Sequence, residues 1–155
     1  MGKMNKVNID ESQIGVSDNE KLSEYRNIAI FGIDSRSSDY ELGNRSDCII
    51  IASINNITHE IKLISVYRDT YVDVEENGNT VLDKVNHAYA YGGAANTIKS
   101  LNKAMDLNIS EFAAVDFKAV ADTVDAVGGI ELDITDEELN NFKTVKDVCK
   151  VLDQK

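Results

Sequence analysis

The chain has 155 residues, of which 43% are hydrophobic and 28% are charged. This length and composition are typical of one globular domain with a buried core. The formal net charge of −11 argues against nonspecific binding to nucleic acid, which requires a cationic face that displaces counterions. An apolar run of about 18 residues, the signature of a membrane-spanning helix, is absent from the sequence. Residues 1–12 also lack the apolar stretch of a signal peptide, so an exported protein would need a targeting segment outside this chain.

The first half of the chain predicts strands. Residues 1–24 are polar, and we expect a polar arm or peripheral segment ahead of the domain at 25–155. An apolar, β-branched run at 26–33 predicts a first strand. Residues 48–54 are apolar at almost every position, which predicts a central strand covered on both faces. A short polar turn leads to residues 61–66, so this third strand should run antiparallel to the second.

A hairpin and then helices follow. Residues 70–81 predict a hairpin with its turn at 77–79. Helical spacing at 85–105 aligns an apolar stripe of Ala94, Ile98, Leu101 and Met105. A strand is predicted at 112–115. Asp116 is then suited to cap a second helix that ends at Gly128 and Gly129, and its apolar face comprises Phe117, Val120, Ala121, Val124 and Val127.

The remaining residues complete an α/β pattern. Residues 130–134 predict a strand, and the tail at 135–155 has the three- and four-residue apolar spacing of an amphipathic helix. Hairpins followed by β–α–β–α–β predict an α/β fold with a central mixed β-sheet flanked by helices. Cys48 and Cys149 are too few and too distant for a disulfide framework, and we expect Cys48 to be a buried free thiol. The sequence does not establish whether either cysteine is oxidised.

Two mirrored charged trios flank the loop between the first two strands. Asp34 follows the first strand and Asp47 precedes the second, so antiparallel pairing would bring both carboxylates to one point. Two carboxylates at one point repel unless a proton or cation lies between them, and Mg²⁺ suits such oxygen ligands together with phosphates. Arg36 and Arg45 would supply planar forks for phosphate oxygens. The alternative is an inert, ion-paired surface loop.

A third charged cluster strengthens the prediction of a site. Arg68 and Asp69 directly follow the third strand, whose carboxyl end should return towards Asp47. Taken alone the pair is typical of a turn salt bridge. Three Arg/Asp clusters at one edge of a sheet favour a site.

Other motifs are weaker. His59 and His87 have no partner at metal-ligand spacing, which argues against zinc. Gly92 and Gly93, ahead of a predicted helix, are consistent with a loop hinge or with backbone amides that face an anion.

Five segments together resemble the LytR–CpsA–Psr (LCP) domain. In order and spacing, from about residue 26 to residue 134, they are NIAIFGIDSR, GNRSDCIII, KLISVYRDTYVDV, DKVNHAYAYGG and VDFKAVADTVDAVGGIELDI. The resemblance implies a three-layer α/β/α fold whose hydrophobic tunnel holds a polyprenyl chain. The apolar faces at 98–105 and 117–127 are candidates to line it, and core packing is the alternative at most of these positions.

The resemblance also implies an activity. LCP proteins are Mg²⁺-dependent phosphotransferases at the extracellular face of the membrane in Gram-positive bacteria, and they move a glycopolymer such as teichoic acid or capsule from a polyprenyl diphosphate carrier to peptidoglycan. Carried over by motif, Asp34 and Asp47 would be catalytic and hold the metal, and one of them would help to deprotonate the attacking sugar hydroxyl. Arg68 would be catalytic and grip the diphosphate, with Arg36 and Arg45 on the same rim.

The sequence departs from the family pattern in several places. Tyr67 stands where proline is usual before the arginine, and Cys48 stands where threonine is common. The later arginine motif and the N-terminal membrane helix of the family are not in this chain. We therefore expect either a partial LCP domain or a shortened member, and the missing arginine motif leaves catalysis by this chain an open question.

Two other functions stay open at this point. One is a non-catalytic module that binds the polyprenyl diphosphate or the glycopolymer. The other is a transcriptional attenuator or regulator, which the net charge and the absence of a helix-turn-helix pattern oppose.

Overall fold

Three antiparallel strands begin the regular sheet. The structure is a computed structural model in which residues 7–33 and 44–129 are described. The strands are β1 (Tyr25–Ile33), β2 (Ser46–Asn55) and β3 (Ile61–Val66), and β2 lies between the other two. The predicted central position of the second strand and the antiparallel third strand are confirmed. A strand that is apolar on both faces is stable only where neighbours and packed layers cover it.

The rest of the described fold comprises β4 (Tyr71–Glu76), β5 (Asn79–Lys84), α1 (Val85–Met105), β6 (Glu111–Val115) and α2 (Phe117–Ala126). β6 pairs in parallel with β1 and gives the sheet order β3-β2-β1-β6, so the predicted mixed sheet is confirmed. β4 and β5 form a hairpin with its own two-stranded sheet. Asn77 and Gly78 turn the hairpin with φ of 50° and 79°, which a two-residue turn of the mirror type requires.

The core lies between one face of the four-stranded sheet, the hairpin and α1. Its fully buried members are Ile14, Ala29, Phe31, Ile51, Val74, Val85, Ala88, Ile98, Leu101 and Ile109. In α1 the predicted stripe is correct at Ile98 and Leu101, and Ala94 packs against the core. Met105 is 41% exposed, so its predicted burial is wrong; as the last residue of the helix it lies beyond the packed stripe.

A kink divides α1 at its glycine pair. Gly92 and Gly93 have non-helical dihedrals, and Gly93 has φ of 65°. A Cβ atom on Gly92 would lie 2.8 Å from the Cβ of Asn96. The two glycines therefore separate two helical segments and precede the second one, in agreement with the hinge expected from sequence.

Helix α2 begins and ends as predicted. The Ala119 amide donates to Asp116 Oδ1 at 2.6 Å, and Gly128 and Gly129 adopt positive φ directly after the helix. No residue of α2 is buried, and Phe117 is 78% exposed, so its apolar face is not part of the core. The chain divides into two compact units, Met1–Thr123 and Val124–Lys155. The predicted strand at 130–134 and the tail helix lie outside the described residues.

The segment before β1 is anchored by one buried amide. Residues 7–24 contain two short 3-10 helices, and Ile14 between them is fully buried. Asn102 in α1 donates to the carbonyls of Ile14 and Ile109 and accepts from the Ile109 amide, each at 2.9 Å. The peripheral segment is therefore attached to the core through buried hydrogen bonds, and their loss would leave buried polar groups without partners at a cost in stability.

Cys48 is a free cysteine, but it is exposed and not buried as expected. In β2 the alternate residues Ile49 and Ile51 face the core, so Cys48 points to the opposite face, where it lies across from Gly32.

We predict that Asn102→Ala destabilises the protein by about 2–4 kcal/mol, because three buried backbone groups lose their partner. Urea unfolding followed by circular dichroism measures this. The control Asn56→Ala, at an exposed position, should change stability by less than about 0.5 kcal/mol. Equal effects of the two variants would contradict the anchoring role of Asn102.

Candidate functional site

The strand register brings three chain segments to one end of the sheet. Ile33 at the end of β1 lies across from Ser46 at the start of β2. Val66 at the end of β3 lies across from Ile49. The end of β1, the start of β2 and the end of β3 therefore lie at the same end of the sheet, as the predicted antiparallel order requires.

At this end Arg68 connects two carboxylates. Its Nη1 lies 2.9 Å from Asp47 Oδ1, and its Nε lies 3.6 Å from Asp69 Oδ2. Lys84 Nζ lies 2.7 Å from Asp69 Oδ1, which lowers the pKa of Asp69 and raises that of Lys84. The result is a row of alternating charges, Asp47, Arg68, Asp69 and Lys84, which we call the charged row.

The backbone fixes Arg68 although its side chain is open to solvent. The Asn86 amide donates to the Arg68 carbonyl at 3.2 Å, and the Val85 amide donates to the Thr70 carbonyl at 2.8 Å. These bonds hold the turn after β3 against the start of α1. The side chains of Arg68 and Asp47 remain 53% and 41% exposed, so a ligand can reach them.

The other predicted site residues are placed differently. Arg45 is exposed and has no ion-pair partner within residues 7–33 and 44–129. Its charge acts on the Tyr91 hydroxyl, where it opposes a rise in pKa that donation to Asp83 causes. Asp34 and Arg36 lie outside the described residues, and their roles stay predictions.

A second polar cluster, which sequence reasoning missed, lies at the junction of β5 and α1. Asp83 Oδ2 lies 2.9 Å from His87 Nδ1 and accepts from the Tyr91 hydroxyl at 3.0 Å. Asp83 Oδ1 accepts from the Lys84 amide at 2.7 Å. The hydrogen bond from His87 is the main cause of the lowered pKa of Asp83. The i, i+4 spacing of Asp83 and His87 was the available signal, but His87 was considered only as a zinc ligand.

Two buried polar atoms lie next to these groups. Ser46 Oγ and Asn86 Oδ1 are inaccessible and have no hydrogen-bond partner among the described residues. Ser46 lies between Arg45 and Asp47 in the sequence, and the backbone amide of Asn86 donates to the Arg68 carbonyl. Buried polar atoms in such positions normally require water or another polar group.

The described residues contain no group of three or more His, Cys, Asp or Glu side chains placed to hold a metal. Asp47 supplies one exposed carboxylate, and the carboxylate of Asp34 lies outside the described range. A carboxylate together with substrate phosphates is a donor set that suits Mg²⁺, so Asp47 has the chemistry of one ligand for that ion.

Exposed apolar side chains include residues on the other face of the sheet and on α2. In β3, Ile61 is 64% exposed and Leu63 is 69% exposed. Ile98 and Leu101, considered for a lipid tunnel, belong to the core. Neither described helix combines the length and hydropathy needed to cross a bilayer.

These features define an α/β protein that gathers guanidinium groups and carboxylates at one end of a mixed sheet. The sequence matches the LytR_cpsA_psr family over residues 1–152, and the chain belongs to this family. The resemblance inferred from its motifs is therefore confirmed.

Relatives and solved structures agree with this assignment. The polyisoprenyl-teichoic acid–peptidoglycan teichoic acid transferase TagU of Bacillus cereus is 33% identical over 123 residues, which are 79% of this chain and 39% of that protein. The crystal structure of B. subtilis TagV is 28% identical with a TM-score of 0.61, covering 72% of this chain and 43% of that one. YwtF (TagT) with bound octaprenyl pyrophosphate shares the fold, with 24% identity and a TM-score of 0.66 over 93% of this chain and 56% of that one. The chain thus spans about two fifths of the TagU length.

The lowered pKa of Asp83 predicts a pH-dependent contribution to stability. A carboxylate whose pKa is lowered by folding stabilises the protein at pH values above the ordinary aspartate pKa of about 3.9. This contribution is lost as the pH falls through the pKa of the folded state. Asp83→Asn should therefore melt below wild type at pH 7, and the gap should shrink as the pH falls below about 4. Scanning calorimetry across this range measures the gap. The exposed control Asp18→Asn should show little gap throughout, and a constant gap for Asp83→Asn would contradict the assignment.

Proposed function

We propose that this chain belongs to a cell-wall glycopolymer phosphotransferase, which moves a glycopolymer from a polyprenyl diphosphate carrier to peptidoglycan. The observation that carries the proposal is Arg68, held by its backbone and aimed at Asp47 at the end of the sheet. The name of the TagU relative, which states transfer of teichoic acid from a polyisoprenyl carrier to peptidoglycan, supports the same reaction. We place the reaction at the extracellular face of the membrane, where such an acceptor lies.

The arginines would bind the diphosphate. A planar guanidinium can bond two phosphate oxygens at once, and Arg68 is half exposed with its backbone already fixed. Arg45, exposed and without an ion pair among the described residues, would bind from the start of β2, and Arg36 from the loop. Because the chain is acidic overall, with a net charge of −11, an anion can bind only where positive charge is gathered locally.

Asp47 and Asp34 would hold Mg²⁺ at the same edge. When bound, the ion would offset negative charge on the diphosphate. Asp47 now pairs with Arg68 at 2.9 Å, so arrival of a diphosphate would exchange this pairing for contacts to phosphate oxygens. Such positioning and charge stabilisation are the main requirements of phosphoryl transfer.

The carrier's polyprenyl chain requires an apolar surface. The exposed apolar side chains of β3 supply one within the described sheet, with Ile61 and Leu63 each more than half exposed. We propose this face, and not the core stripe of α1, as the lipid-facing surface. The regulator hypothesis is not favoured, since the family match and the TagU relative both indicate a transferase.

We predict that a short-chain polyprenyl diphosphate raises the melting temperature of the chain and that Arg68→Ala abolishes the rise. A ligand that binds the native state stabilises it by mass action, and about 100 Kd of ligand adds about 2.7 kcal/mol. The matched control is Arg26→Ala, because Arg26 is 54% exposed, is ion-paired to Glu111 and lies at the opposite end of β1. A shift kept in Arg26→Ala and lost in Arg68→Ala supports the proposed site.

Other outcomes of this titration contradict specific parts of the proposal. No shift in folded wild type would refute diphosphate binding by this chain. Binding without transfer of glycopolymer to peptidoglycan fragments would favour the non-catalytic module.

A second titration separates the metal from the arginines. We expect Mg²⁺ to increase the ligand-induced shift in wild type, and Asp47→Asn to remove this increase while a metal-independent shift remains, because Arg68 is still present. Asp69→Asn is the control, since Asp69 also contacts Arg68 but is not a proposed ligand. If Asp69→Asn and Asp47→Asn behave alike, Asp47 does not hold the metal.

A further inference from the structure

The Asp83–His87 pair has the geometry of an oriented imidazole. Asp83 Oδ1 accepts from the Lys84 amide at 2.7 Å, and Asp83 Oδ2 accepts from the Tyr91 hydroxyl at 3.0 Å and lies 2.9 Å from His87 Nδ1. An ionised carboxylate can only accept hydrogen bonds, so neutral His87 carries its proton on Nδ1. The lone pair is then on Nε2, the nitrogen that can accept a proton.

The pair is adjacent in sequence to residues of the charged row. His87 directly follows Asn86, whose amide donates to the Arg68 carbonyl, and Asp83 directly precedes Lys84, whose ammonium pairs with Asp69. From the start of β2, the charge of Arg45 acts on Tyr91. The His87 side chain is 23% exposed, so its imidazole is accessible but mostly enclosed.

We propose that His87, oriented by Asp83, is the general base that accepts the proton of the attacking acceptor hydroxyl. This proposal rests on the proposed phosphotransferase function. The hydroxyl oxygen bonds to the phosphorus that carries the glycopolymer, and the bond from that phosphorus to the bridging oxygen breaks. The polyprenyl monophosphate leaves with the electron pair, and the hydroxyl proton passes to His87 Nε2 and then to solvent.

Chemistry favours this imidazole over the aspartates that the family resemblance suggested. Histidine has an ordinary pKa of about 6.5 and aspartate one of about 3.9, so an imidazole is the better proton acceptor near neutral pH. Asp47 is moreover engaged by the Arg68 guanidinium. His87 is thus the proposed catalytic residue, and Asp83 is a positioning residue that acts through it.

The competing explanation is purely structural. Asp83 and His87 are four residues apart at the start of α1, and their bond also stabilises the junction of β5 with the helix. A structural role predicts a stability effect alone. Both roles predict the proton on Nδ1, since both include the bond to Asp83. A general base predicts in addition contact with the acceptor and a pH-dependent rate.

Nitrogen-15 NMR of labelled histidine distinguishes these roles, because the chain has two histidines and His59 serves as an internal reference. We expect neutral His87 to carry its proton on Nδ1. Adding a soluble peptidoglycan disaccharide to protein loaded with a short-chain polyprenyl diphosphate should shift the His87 Nε2 signal and leave His59 unchanged. A proton on Nε2, or no shift with the lipid bound, would overturn the proposal.

Matched variants extend the test to the reaction. His87→Asn keeps an amide that donates to Asp83 but has no base, so we expect lipid-induced thermal shifts to persist and single-turnover transfer to fall by about 100-fold or more. The acidic limb of the pH–rate profile should disappear; the titratable partners of the pair are Asp83 and Tyr91, and the charge of Arg45 acts on Tyr91. His59→Asn, the same substitution in an exposed turn, should leave both readouts unchanged.

The outcomes distinguish failure of the general-base proposal from failure of the proposed phosphotransferase function. Loss of lipid binding in wild type would refute the phosphotransferase function, and the proposal for His87 would fall with it. Intact lipid binding with an unchanged rate and pH profile in His87→Asn would refute only the general base. Where wild type shows no turnover, the acceptor-induced shift of the His87 Nε2 signal decides the question.

Discussion

The antiparallel register of β1, β2 and β3 is the constraint on which the site depends. Because Ile33 lies across from Ser46 and Val66 lies across from Ile49, the end of β1, the start of β2 and the end of β3 lie at one end of the sheet. A shift of one residue in this register would exchange the core face with the outer face and move every charged residue relative to the others. The burial of Phe31, Ile49 and Ile51 against α1 opposes such a shift, so core packing also fixes the site.

Electrostatics at this end are arranged by pairing and not by net charge. The charged row alternates in sign, and each carboxylate in it contacts a cation. Exposed pairs of this kind add little stability, so their value lies in holding long side chains near one position. The backbone bond from Asn86 to Arg68 supplies the rigidity that the side chains lack. This division between a fixed backbone and exchangeable ion pairs suits a surface that must admit an anionic ligand.

Much of the fold was predictable because its signals are local. The two-sided apolar run of β2, the turn at Asn77 and Gly78 and the cap at Asp116 each express a preference within a few residues. The approach of Asp47 to Arg68 followed from strand order alone. The exposure of Cys48 and Met105 was mispredicted, since hydrophobicity does not reveal which face a neighbour covers. The Asp83–His87–Tyr91 cluster was missed because its geometry depends on how β5 enters α1.

The kink at Gly92 and Gly93 gives α1 two segments with separate attachments. The first carries His87 and Tyr91 and is held to β5 through Asp83. The second is held to β4, where the Asn96 side chain donates to the carbonyl of Glu75 at 2.8 Å and accepts from its amide at 3.2 Å, as a neighbouring strand would. Both segments are thus attached to the β4–β5 hairpin through side-chain hydrogen bonds. A tilt of the hairpin relative to α1 would therefore strain the hydrogen bonds of both segments, at Asp83 and at Asn96.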